Sequence, residues 1–289
     1  MYICDMKGFK NYNRQEVFNS IDKIGVEKIN GQVITKYDGR VTQIANVSSR
    51  YEVFDISKYL KEKIELIEKN FTILKYQLRI RKGQQYLQLI SDTINIGGID
   101  FYKSFYILNS TDKSRRLSFY AGLHTHNFYY IGANNVSLSR KHLTGVNIAA
   151  EDASKSLSGE TFKEQILALE NLLGHRVKFS NIRQVILGEA EEIPLVNHRK
   201  FDAFKNLLRY AASDGLIKLT TEQQSQLNTP SEKMKTVKED FYLDAFWTFC
   251  SYLKLFSQQD SHIIKKETDR IIGITQWSIR NQALEALGI

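Results

Sequence analysis

From Thr72 to Ile80 the chain alternates apolar and polar residues with a period of two. Leu74, Tyr76, Leu78 and Ile80 fall on one side, and Lys75, Gln77 and Arg79 on the other. Successive side chains of an extended strand point to opposite faces, so this period commits the stretch to a strand with two chemically different faces. Arg81-Lys82-Gly83-Gln84 reads as a turn, and Gln85 to Ile90 returns with Leu87 and Leu89 alternating against Gln88. Gly97-Gly98 marks a further turn. Phe101 to Leu108 and Arg116 to Leu123 then predict a third hairpin across Ser110 to Ser114, and Asn127 to Gly132 one more short strand.

Upstream, Asp38-Gly39 between Gln32–Tyr37 and Val41–Ser48 predicts a tight hairpin turn with positive φ. Arg14 to Ile24 predicts a short amphipathic helix bearing Val17, Ile21 and Ile24. A longer helix follows, N-capped by Asp55, with Ile56, Tyr59, Leu60, Ile64 and Ile67 at helical spacing and Asn70 as a left-handed stop. Its lysines and glutamates, Lys63 among them, read as a solvated face.

After about residue 145 the period changes. Glu160 to Leu173, closed by Gly174, and Lys200 to Ala212 predict helices. Asn181 to Leu187 is ambiguous. Thr220 to Lys238 is polar, contains Pro230, and reads as an exposed, mobile segment. Phe241 to Phe256 reads as a buried helix, and Asp269 to Leu287 as a last helical segment. The expected class is α+β, with antiparallel β-hairpins and an embedded helix in the N-terminal half and a helical C-terminal half. The expected boundary lies near residue 150, giving a β-rich domain over 1–150 and a helical region over 151–289.

Charge narrows the partners. The chain carries a net charge of +8, with an isoelectric point near 9.2, which favours a polyanion. Lys75, Arg79, Arg81, Lys82, Lys103, Lys113, Arg115, Arg116, Arg140 and Lys141 face only Asp92, Asp100 and Asp112 over the same region. Rings are interleaved among them, including Phe101, Tyr102, Phe105, Tyr106, Phe119 and Tyr120. Cations that hold phosphates, beside rings that stack on bases, are what a sequence-tolerant single-strand surface needs. The competing explanations are ordinary: strands favour aromatic residues, and cations at hairpin ends discourage edge-to-edge aggregation. The spacing of a zinc finger or a helix-turn-helix is absent, which argues against sequence-specific reading of duplex DNA.

Other chemistries have less support. No G-x-x-x-x-G-K-[ST], G-x-G-x-x-G or G-x-S-x-G motif occurs, and no cofactor is implied. The two cysteines, Cys4 and Cys250, form no C-x-x-C pair and suggest a reducing compartment. His124-x-His126 would point two imidazoles the same way along a strand, with His142 close behind in sequence, and makes a weak metal-site candidate. The N-terminus lacks the apolar core of a secretory signal and no window has 18 apolar residues, so a cytoplasmic chain with no membrane partner is expected.

The order of segments resembles a known family. Val47 to Ile56 (VSSRYEVFDI), Tyr106 to Tyr120 (YILNSTDKSRRLSFY), Asn127 to Asn135 (NFYYIGANN), Ser139 to Gly145 (SRKHLTG) and Phe241 to Leu253 (FYLDAFWTFCSYL) are similar to the phage/plasmid-like family carrying domain of unknown function 932. The turn Ser110 to Ser114 lacks that family's His and Gly, and His126-Asn127 stands where a cysteine is expected. The resemblance implies a phage or mobile-element protein encoded near DNA-processing genes, and it carries over no catalytic residue. Element order alone is also similar to that of ring-forming strand-annealing proteins, which work without nucleotide hydrolysis. The leading expectation is a non-enzymatic, phage- or plasmid-encoded nucleic-acid-binding protein that favours single-stranded DNA, acts in annealing or recombination, and forms homo-oligomers. A virion structural or host-interaction protein, and a metal-dependent enzyme, stand as alternatives.

Overall fold

Strand β1 (Lys10–Tyr12) leads directly into helix α1 (Arg14–Ile21), whose start is closed by a capping box between Asn13 and Glu16. Two tight turns then shape the next 25 residues. Asn30-Gly31 and Asp38-Gly39 all adopt positive φ, from 48° to 75°, as two-residue hairpin loops require. They join β2 (Ile24–Ile29), β3 (Gln32–Tyr37) and β4 (Arg40–Asn46) into an antiparallel sheet. The hairpin at Asp38-Gly39 is the expected one. Strand β2 and its Asn30-Gly31 turn are an addition to the expected elements.

The computed structural model describes residues 10–53, 55–81, 83–111, 117–124, 129–130, 136–140, 162–188, 193, 195–213, 215, 217–234 and 240–250. Two compact units emerge, residues 1–126 with 131–166, and residues 127–130 with 167–289. The class is α+β with antiparallel sheets. No helix among the described residues is long and apolar enough to cross a membrane.

In the first unit, α2 (Ile56–Asn70) is capped by Asp55, which accepts from the Lys58 backbone N–H at 3.0 Å. The helix ends on Phe71 in an extended conformation, so Asn70 is not the left-handed stop its residue type suggests. Lys63 also departs from the expected solvated face. It is buried, with its ammonium 4.8 Å from the Tyr59 ring centroid, where cation–π attraction offsets part of its desolvation. Glu68 links three elements: Arg14 donates to it at 2.9 Å and the Tyr76 hydroxyl also donates to it. Burial and that bond hold the Tyr76 phenol above its ordinary pKa.

The main sheet is built from β5 (Lys75–Arg81), β6 (Gln84–Ile96), β7 (Ile99–Ser110) and β8 (Leu117–His124). The two-residue strand β9 (Tyr129–Tyr130) belongs to the second unit, and β10 (Val136–Arg140) returns to the first. Within the first unit the sheet order is β1-β5-β6-β7-β8-β10. The turn at Gly97-Gly98 has positive φ at both residues, as expected. One face carries Leu78, Leu87, Leu89, Phe105, Ile107, Phe119 and Leu123, all at most 2 % exposed, so this is the core. Phe71, Phe105 and Phe162 pack there with centroids 4.9–5.7 Å apart. Gln165 extends the cluster, accepting from the Leu123 N–H at 3.1 Å. Leu74 lies outside this core and is exposed.

The two sheets meet at Thr111. Its N–H and hydroxyl both donate to the Gly83 carbonyl, its hydroxyl meets that of Thr35, and its carbonyl accepts from Tyr51.

The second unit begins within α3 (Lys163–Glu170), which is followed by the expected positive φ at Gly174. A two-stranded antiparallel sheet pairs β11 (Arg176–Lys178) with β12 (Tyr242–Asp244), and the chain between them forms α4 (Phe179–Leu187), α5 (Leu195–Ser213) and α6 (Thr221–Asn228). Phe179 stacks on Phe241, with centroids 4.7 Å apart, and lies tilted against Phe201 at 5.5 Å. Two expectations are corrected here. Thr220 to Lys238 contains helix α6, started by a Thr220–Gln223 capping box, and buried Ser231. Phe241 to Phe256 opens as a strand, and residues 245–250 are helical behind Asp244, which caps them at the Trp247 N–H. Asp269 to Leu287 lies outside the described residues.

A polar seam along α5 holds the segment after α6. Arg209 donates to Asn228, Lys205 to the Thr229 carbonyl, and Asp202 accepts from the Ser231 backbone at 3.0 Å and its hydroxyl at 3.1 Å. His198 Nδ1 also lies 3.1 Å from the Ser231 hydroxyl. Partial burial pushes Asp202 upward, but bonds from Lys205 and Ser231 outweigh it and leave its pKa below the usual value.

Two tests follow from this packing. A Cβ at Gly83 would lie 2.7 Å from Thr111 Oγ1 and 3.1 Å from Gln43 Cγ. Gly83→Ala should therefore cost about 1–3 kcal/mol in urea unfolding, and an unchanged midpoint would contradict the contact. Because the folded pKa of Asp202 is depressed, its contribution is complete above the unfolded value and is lost as pH falls through the folded one. Acid unfolding followed in the second unit should thus lose stability below about pH 4, and Asp202→Asn should flatten that limb.

Candidate nucleic-acid interface

The side chains opposite the apolar core face are of a different kind. Antiparallel register places Lys75, Gln77, Arg79 and Arg81 of β5 on that face, beside Gln84, Tyr86, Gln88 and Ile90 of β6. Ser104, Tyr106, Leu108 and Ser110 of β7 continue it, paired with Gly122, Tyr120 and Ser118 of β8. One row of paired positions, Asn11, Gln77, Gln88, Tyr106 and Tyr120, crosses five strands. Gln77 donates to Asn11 at 2.9 Å and Gln88 donates to the Tyr106 hydroxyl at 3.2 Å within that row. His124 ends the face, its Nδ1 2.7 Å from the Ser104 hydroxyl and its ring stacked 5.2 Å from that of Tyr102.

The centre of this polar face is buried. Gln77, Gln88, Ser104, Tyr106 and His124 are all at most 2 % exposed. The Gln88 Oε1 has no hydrogen-bond partner among the described residues. Towards the β1–β5 side the described residues of this face are open: Lys75, Arg79 and Gln84 are half-buried, and Asn11 and Arg81 are exposed.

The predicted cations therefore divide. Lys75, Arg79 and Arg81 share one face of one strand. Lys103 lies on the opposite face, across from a bulge at Ser91-Asp92, and donates to Asp92 at 2.8 Å. Partial burial raises Asp92, but bonds from Lys103 and Ser91 prevail and hold its carboxyl below the ordinary range. Arg140 sits on β10 paired with Leu117, and Tyr120 on β8 paired with Tyr106. Lys82, Lys113, Arg115, Arg116, Lys141 and His126 lie outside the described residues.

The rings also divide. Phe101, Phe105 and Phe119 belong to the apolar core, and Tyr102 and Tyr106 are buried on the polar face. None of these five is open to a base in this structure. Among the described residues no cluster of three His, Cys, Asp or Glu side chains could hold a metal ion. Cys250 is buried, which pushes its thiol pKa up and leaves it unreactive. The row of paired Asn, Gln and Tyr residues was missed by sequence reasoning. Its signal was present as Gln77, Gln88 and Tyr106 at non-core positions of the alternation.

No protein-family model, no curated protein and no solved structure matches this chain. The comparisons thus add nothing to the resemblance drawn from the sequence.

Ser104→Ala would remove the hydroxyl bonded to buried His124. A loss of about 1–3 kcal/mol in chemical denaturation is expected, and no loss would mean that this bond is not retained in solution.

Proposed function

We propose that this chain is a non-enzymatic nucleic-acid-binding protein that engages single-stranded DNA through the polar face of its main sheet. In this reading it is a phage- or plasmid-encoded annealing or recombination protein working as a homo-oligomer. The observation that carries the reading is the alignment of Lys75, Arg79 and Arg81 along one face of β5. Alternate residues on a strand are about 6.6–6.8 Å apart, so Arg79 and Arg81 offer two successive cationic contacts in line. Their neighbours on that face, Gln84 and Gln77, are neutral donors and acceptors, and Asp92 is bonded to Lys103. The net charge of +8 supplies the long-range attraction such binding needs.

Burial of the described rings makes phosphate contact, rather than stacking, the main term in the structure as it stands. Such binding releases counterions and depends steeply on salt.

A protein-binding function has one specific observation in its favour. Ile29, Val41 and Ile44 are about half exposed on the outer face of the β2-β3-β4 sheet, where a bulge between Thr35 and Lys36 turns Val41 to the same side as Ile44. Exposed apolar clusters mark interaction surfaces.

One titration separates these readings. Oligo(dT) binding by wild type should weaken log-linearly with salt, and Lys75→Ala/Arg79→Ala/Arg81→Ala should lower the slope by about 2. Lys103→Ala and Ile44→Lys should leave affinity within about twofold, because Lys103 lies on the opposite face of the sheet and Ile44 on another sheet. Absence of oligonucleotide binding at low salt would remove the nucleic-acid reading and leave the protein-binding one.

A further inference from the structure

The β2-β3-β4 sheet ends on β4, and among the described residues no strand pairs with its far side. Its couples with β3 decide which backbone groups face that open edge. Along an antiparallel pair, couples alternate between exchanging both backbone bonds and exchanging none. Val47 donates to the Gly31 carbonyl at 2.8 Å, so Val33–Ala45 exchanges bonds, and Gln32–Asn46 and Ile34–Ile44 do not. At the other end Tyr37–Arg40 closes the two-residue turn, so Lys36–Val41 exchanges none. The N–H and C=O of Val41 and Ile44 therefore point away from β3. The side chains of the same two residues stand on the outer face, 54 % and 53 % exposed. The Gln43 amide lies 3.4 Å from the Ile44 carbonyl, a long bond that an added strand would displace. Beyond Arg40, β4 has no charged residue and no proline, which commonly keep an edge from pairing, whereas the β2 edge carries Glu27 and Lys28.

We infer that β4 pairs antiparallel with β4 of a second copy of this chain, Val41 of each opposite Ile44 of the other. In this register the edge is its own complement. Outward N–H and C=O groups meet their counterparts, and valine meets isoleucine on the same face. Arg40 falls opposite Ala45 of the other copy, so no like charges meet across the seam. Lys36, beside Val41 on β3, is paired with Glu27. The net charge of +8 opposes self-association elsewhere, and a charge-free edge is where two copies approach at least cost. The same lack of cations over residues 41–46 gives a polyanion nothing to hold. The inference deepens the homo-oligomer part of the reading above, assigns Val41 and Ile44 to a second copy, and needs nothing from the nucleic-acid part.

Sedimentation equilibrium of the full chain, with no oligonucleotide present, tests it. The mass should rise with concentration from 33.5 kDa towards twice that value. Salt screens the repulsion between two cationic chains and should tighten association, the opposite of its effect on oligo(dT) binding. Ile44→Lys and Ile44→Pro should each weaken association by about tenfold or more. The proline removes only an outward N–H, so its melting temperature should stay near that of wild type, which separates a seam residue from a merely structural one. In a Cys4→Ser background, Val41→Cys/Ile44→Cys should cross-link into dimers under mild oxidation, and Val41→Cys alone should not. A mass of one chain at all concentrations up to about 1 mM, association indifferent to both Ile44 variants, or a cysteine pair that links no better than Val41→Cys alone would overturn the inference. Each of these outcomes leaves the oligo(dT) result untouched. Should the Ile44 variants not fold, the cysteine pair decides.

Discussion

Antiparallel pairing of β5 through β8 is the constraint on which the rest of the first unit depends. Each directly paired couple shares a face, so a one-residue slip would exchange Leu78, Leu87 and Phe105 for Gln77, Gln88 and Tyr106 across the whole sheet. The register is pinned at both ends. Gly97-Gly98 turns the chain between β6 and β7 with positive φ at both residues, and Thr111 closes the other end on the Gly83 carbonyl. Glu68, bonded to Arg14 and Tyr76, fixes α1 and α2 against the β5 end of the same sheet.

From that register follow both the core and the candidate interface. The apolar side gathers Phe71 and Phe162 around Phe105, a ring cluster worth more than its area alone. The polar side aligns three cations at one margin and a glutamine–tyrosine row behind them. The bulge at Ser91-Asp92 matters as much as the pairing. It places a carboxylate against Lys103 and so removes one cation from the pool that a polyanion could use.

Much of this was legible before the structure. The period-two pattern located β5 and β6, Asp38-Gly39 located the β3–β4 hairpin, and Asp55 located the start of α2. What alternation does not tell is what lies over each face. Gln77 and Lys75 read as a solvated side, yet Gln77 is buried, because burial is decided by packing distant in sequence. The same limit explains the rings. Phe105 and Tyr106 are adjacent and both buried, on opposite faces of the sheet, and nothing local separates a core ring from a surface one. Other misses had local signals that composition obscured. Asn30-Gly31 is a strong hairpin turn, but the preceding IGVEKI run does not alternate cleanly. The Thr220–Gln223 capping box was hidden in a polar stretch whose helix gains its place from the α5 seam rather than from an apolar stripe. In FYLDAFW the aromatic residues suit strand and helix alike, so the Asp244 cap between them passed unnoticed.

The central claim is that nucleic acid lies on the polar face of the β5–β8 sheet. Photocrosslinking to an iodouracil-containing single strand, with the linked peptides mapped by mass spectrometry, tests it most directly. The account predicts adducts in the peptides that span Lys75 to Gln84, reduced when Lys75, Arg79 and Arg81 are replaced by alanine. Adducts confined to residues 167–289, or adducts at that sheet unaffected by loss of the three cations, would contradict it.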